Sequence, residues 1–169
     1  TLTEVEQLVA NNESRVVGAM VGRAVINHPC AFATVDRLWD RYGNQGEDLV
    51  RKMPTRGQVL YDYMSYCHRE EQRMRSYRAS LDKITALRRR LVAVPFHLFV
   101  GEDGSHLFQR SISKLRSRSS PMIKASSVLL GASSRIPAET MERCVDEHIP
   151  WDQIPKAEGS HLQPRRSSA

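Results

Sequence analysis

The sequence predicts a mainly α-helical protein. Short N-terminal helices lead into one long heptad-patterned helix; a small β-hairpin, short C-terminal helices and an extended tail follow. Three observations carry this. Leu60, Tyr63, Cys67, Glu70, Met74, Tyr77, Leu81, Ile84, Arg88 and Leu91 follow one another at spacings of three and four, the pattern of a helix that lies along another helix. Capping boxes stand at Thr3–Glu6 and Thr55–Gln58. Proline and glycine fall where helices should begin and end.

In order, Val5, Leu8 and Val9 give a first helix a short apolar face. A second, Ser14 to Asn27, carries a stripe of Val16, Val17, Met20, Val21, Ala24 and Val25, with Gly18 and Gly22 set for a close helix crossing. A third opens at Pro29 and runs to Tyr42, with Phe32, Val35, Trp39 and Tyr42 on one face and Gly43 as its stop. Residues 44–54 read as a loop, which completes a first region, 1–54.

The second region, 55–94, is the long helix. Glu71 with Arg75 and Glu70 with Arg73 support it internally, and Arg88–Arg90 suit its last turn. At 1.5 Å per residue, its central span would reach roughly 54 Å, longer than a small domain is wide. A stripe of that length predicts a partner helix outside the chain, met by Leu60, Tyr63, Cys67, Met74, Tyr77, Leu81, Ile84 and Leu91. Glu70 and Arg88 are its two polar positions.

Pro95 ends the helix and opens a third region, 95–149. Phe96–Val100 and His106–Phe108 flank Gly101-Glu102-Asp103-Gly104, the pattern of a hairpin. Arg110–Ser120 reads as a loop or a short basic helix. Pro121 opens a helix closed by Gly131, and Pro137 opens another running to His148. The tail, 150–169, is polar and proline-rich. It is either disordered or laid along a neighbour; Trp151, Ile154 and Leu162, its candidate anchors, favour the second.

Composition narrows the function. With 169 residues, 40% hydrophobic and 7% aromatic, the chain supports a modest core. The net charge is +6, and residues 58–118 hold the whole surplus, because acids and bases balance on either side. Arg88, Arg89, Arg90, Arg110, Lys114, Arg116 and Arg118 therefore form a candidate surface for RNA, anionic lipid or an acidic protein. Cys30, Cys67 and Cys144 are odd in number and widely spaced, which favours a reducing compartment over a disulfide framework. No run reaches the ~20 apolar residues of a transmembrane span, and there is no secretory signal pattern. The sequence begins at Thr1, as expected where a targeting segment has been removed or where the chain continues upstream.

Catalytic and metal chemistry find little support. Cys144 and His148 are four apart on an expected helix, but zinc needs further ligands that no second pair supplies. Cys67 and His68 are adjacent, so on a helix they point about 100° apart. Gly101–Gly104 lacks the lysine of a phosphate loop, and a hairpin strand rather than the helix of such a loop is expected to follow it. The reading is a non-enzymatic protein without cofactor or metal. Its layout of short helices, long charged helix and tryptophan-bearing tail resembles accessory subunits of large mitochondrial assemblies, such as the peripheral stalk of the ATP synthase and the mitochondrial ribosome. The resemblance is one of architecture alone. It implies a structural accessory subunit of a multiprotein complex, mitochondrial and of respiratory-chain or ATP synthase type, that meets other subunits through helix–helix packing and its extended tail. The alternative is a mitochondrial ribosomal or other RNA-binding protein using the basic residues of 88–118.

Overall fold

A computed structural model describes residues 2–10, 20–36, 53–118 and 123–147. It is mainly helical. Helix α1 spans Leu2–Ala10, α2 Arg23–Asn27, α3 Arg56–Ser76, α4 Leu81–Ala93, α5 Ser105–Arg118, α6 Ala125–Ser133 and α7 Ala138–Glu142, with 3-10 turns at Pro29–Phe32 and Val94–His97. Among the described residues there is no strand, only one isolated antiparallel bridge between Thr55 and Cys144.

The expected helix over 55–94 starts where the capping box places it. Thr55 is extended, and its hydroxyl accepts from Gln58 N at 3.1 Å. The helix does not run on to Val94, however. It ends at Ser76, because Arg78 N donates to Arg75 O and Ala79 N donates to Met74 O, while Arg78 takes a left-handed φ of 51°. That pair of bonds is a Schellman stop, with an arginine in the place glycine usually holds. Ser80 is extended again and opens α4, whose first turn carries Asp82 at the positive end of the helix dipole.

After this turn α4 packs back on α3. Tyr63 Oη donates to Leu91 O at 2.8 Å, joining positions 28 residues apart. The stripe thus meets its own second half. Leu60, Cys67 and Leu91 share one buried core with Leu98, Phe99, Phe108, Ile112 and the inner face of α6. Helix α6 contacts α3, α4 and α5 and seals that core through Ala125, Val128, Leu129 and Ala132.

The hairpin expected over 96–108 is replaced by a turn and a helix. Phe108 and Ile112 are four apart and buried together on α5, so helical spacing prevails over alternation. Phe99 and Phe108 still meet, edge to face at 5.0 Å between ring centres. Gly104 turns the chain into α5 with φ +80°, and a Cβ there would lie 2.5 Å from Arg135 O. The basic stretch after Arg110 is helical to Arg118.

Elsewhere, among the described residues, several helix boundaries differ from those expected. Of the segment 14–27, only Arg23–Asn27 is helical among the described residues, and it buries none of them. Met20, expected in its stripe, is 98% exposed. The third helix begins as a 3-10 turn at Pro29, with Phe32 buried; Trp39 and Tyr42 lie outside the described residues. Helix α6 begins at Ala125 and runs through Gly131 to Ser133, so Gly131 is no stop. Helix α7 ends at Glu142, after which Cys144 and Val145 run alongside Pro54–Arg56. His148 and the tail anchors Trp151, Ile154 and Leu162 lie outside the described residues.

Candidate interaction surface

Two buried ion clusters absorb much of the interior polar chemistry. In the first, Glu71 faces inward from α3. Its Oε2 accepts from Arg88 Nε at 2.8 Å and Nη2 at 2.7 Å, and its Oε1 accepts from Ala125 N at 2.7 Å. One carboxylate therefore neutralises an arginine of α4 and satisfies the first amide of α6, at the end where a helix favours negative charge. Arg88, expected at an anionic surface, is buried in this pair. Glu71 turns to Arg88 rather than to Arg75, while Glu70 keeps its exposed partner Arg73 at 3.7 Å.

In the second cluster, Arg56 Nη2 lies 2.9 Å from Glu102 Oε1, and Arg143 Nη1 donates to Glu102 Oε2. Arg56 also donates to Cys144 O at 3.1 Å and Glu147 O at 2.8 Å. It ties the start of α3 to the chain after α7 and to the turn before α5. Cys30 borders this cluster and donates to Leu98 O at 3.4 Å; burial raises its thiol pKa, with the Arg56 guanidinium opposing. Burial likewise raises Cys67 to about 11. Burial also raises the Tyr63 hydroxyl above its usual value, and it lowers the imidazolium pKa of His97. Among the described residues no group of three or more His, Cys, Asp and Glu side chains is placed to hold a metal ion.

The remaining predicted contact residues separate by position. Of the expected partner-helix seam, Leu60, Cys67, Ile84 and Leu91 are buried within the chain, and Tyr63 and Met74 are half-buried. Tyr77 and Leu81 are left outside, 71% and 52% exposed, on either side of the α3–α4 turn. Arg73 packs its guanidinium over the Tyr77 ring at 5.9 Å. Of the basic set, Arg89, Arg90, Arg110 and Lys114 are exposed on α4 and α5, which pack against each other. Arg116 and Arg118 continue α5, with side chains outside those described.

A further surface escaped the sequence reading. The outer face of α3 and the exposed side of α6 enclose a continuous open groove. One part, about 810 Å³, is lined by Gln58, Tyr61, Asp62, Leu130, Met141 and Glu142 among others. The other, about 600 Å³, continues along Ser65, His68, Arg69, Ser126 and Ser127 and shares Tyr61 and Leu130 with the first. Tyr61 is 52% and Leu130 54% exposed. The signal for α3 was present in the spacing Tyr61, Ser65, His68, a second stripe beside the apolar one.

No known protein family matches the chain, and no curated protein or solved structure is significantly similar to it.

Proposed function

We propose that this chain is a non-catalytic accessory subunit of a larger, mitochondrial protein assembly, held there by side chains its own core leaves uncovered. The turn between α3 and α4 carries this reading. Most of the heptad stripe finds its partner inside the chain, so the stripe as a whole no longer calls for an outside helix. Tyr77 and Leu81 are what remains of it. Two large exposed side chains on either side of one turn offer an anchor of the kind that dominates protein interfaces. The tail residues Trp151, Ile154 and Leu162 are the second proposed contact with neighbouring subunits.

Leu81→Asp tests it. Leu81 is the first residue of α4 and exposed, so aspartate there complements the helix dipole and leaves the fold intact. The tagged variant is expected to migrate as free chain in a native gel where the wild type migrates in a large complex, with an unchanged thermal melt. Equal incorporation of variant and wild type would reject the corner as the anchor.

A second reading rests on Arg89, Arg90, Arg110 and Lys114, exposed on two helices that pack together. A basic surface of this kind favours RNA through its phosphates, with affinity that falls as salt rises.

A further inference from the structure

We infer that the α3–α6 groove is the contact face of a symmetric homodimer, in which the occupant of each groove is the α3 ridge of a second copy. Charge and symmetry along α3 identify this occupant. Asp62 and Arg69 are seven residues apart, two helical turns, and so share one face about 10 Å apart along the axis. Asp62 lines one part of the groove with Glu142, and Arg69 lines the other with His68. The groove is therefore acidic at one end and basic at the other. Among the described residues neither Asp62 nor Arg69 has an ion-pair partner within the chain.

A two-fold axis perpendicular to α3 between Ser65 and Tyr66 sets two copies of this helix antiparallel. It sets Asp62 of each opposite Arg69 of the other. A two-fold contact must be self-complementary, because the same patch serves both sides. This face meets that condition, since its polarity reverses about its own midpoint. The centre also suits contact. Tyr61 and Leu130, which line both parts of the groove, are exposed where the two parts meet. Ser65, Ser126 and Ser127 line this stretch and are small, so a second helix can come close. An unlike partner would need none of this internal reversal of charge. The inference does not depend on the Tyr77–Leu81 corner, and the two are tested by different substitutions.

Sedimentation velocity of the full chain, over a concentration series at low and at high salt, tests it. The wild type is expected to dimerise reversibly and more weakly at high salt. Asp62→Arg and Arg69→Asp each place like charges in contact twice per dimer, and each is expected to weaken association about tenfold or more. The double variant, D62R with R69D, restores opposite charges across the axis and is expected to return to within about threefold of wild type. Circular dichroism should show all three variants folded, since both positions are exposed. A chain monomeric at every concentration overturns the inference. So does a dimer indifferent to either single change, or a double variant no tighter than the singles.

Discussion

At the scale of single residues, Glu71 ties three helices of this fold together. It is 3% exposed and serves three helices at once, through Arg88 and the Ala125 amide. Such a pair is costly to break and far less costly to replace. Removing one partner leaves a buried charge uncompensated, whereas an apolar pair of similar volume satisfies the site without desolvating ions. Glu71→Ala is therefore expected to destabilise the chain by about 3–5 kcal/mol. The combination of Glu71→Leu with Arg88→Met should recover most of that loss, apart from about 1–3 kcal/mol for the orphaned Ala125 amide. Urea unfolding of the two variants and wild type measures the difference. A double variant as unstable as the single would show that the stability lies in the charges themselves. The sequence held a hint of this pair, since Arg88 interrupts an apolar stripe. Its partner was not legible: Glu71 lies off the stripe, and Arg75 is a nearer base in sequence. A carboxylate's choice between a local solvated partner and a distant buried one is made by tertiary packing, which spacing does not encode.

At the scale of elements, the α3–α4 turn decides how much of the chain could be read in advance. Helical content, the Thr55 cap and the identity of many core positions follow from periodicity and capping alone. The break at residues 77–80 does not, because the heptad spacing continues through it: Tyr77, Leu81 and Ile84 keep the pattern across the turn. A glycine at position 78 would have announced the stop, and arginine conceals it. The hairpin reading over 96–108 failed for a related reason. Short apolar runs around glycines fit a strand or a buried turn of helix equally well, and only the burial of Phe108 with Ile112 separates them. The same logic makes Arg78 a sensitive position. Left-handed backbone costs an L-residue about 1–2 kcal/mol, partly offset in a glycine by its greater freedom when unfolded. Arg78→Gly should thus stabilise the chain by up to about 1 kcal/mol, and Arg78→Val should destabilise it by about 1–2 kcal/mol, because β-branching tolerates this conformation least. Thermal melts compare the three chains. A stabilising Arg78→Val would mean that α3 continues straight past Ser76.

At the scale of the whole molecule, folding α4 back on α3 changes what the charge surplus and the stripe do. A straight helix would present one apolar seam to a partner and a basic end to an anionic surface. The folded form spends most of the seam on the chain's own core and buries Arg88. What it leaves outside includes Tyr77 and Leu81 at the α3–α4 turn, the exposed basic residues of α4 and α5, and the groove along α3 and α6. The two geometries differ by a distance that is directly measurable. Gln58 and Arg90 are both exposed, so spin labels at cysteines placed there should not disturb packing. Along one continuous helix they would stand about 48 Å apart. In the folded form, Tyr63 Oη reaches Leu91 O, which puts the labelled positions on neighbouring helices with axes about 8–10 Å apart and offset by about 9 Å along them. Pulsed electron-resonance distances centred below about 25 Å are therefore expected, label arms included. Diluting labelled with unlabelled chain removes any contribution between copies. A distribution centred near the longer value would return the stripe to an outside partner. It would also separate the α3–α4–α6 core on which the groove and both ion clusters depend.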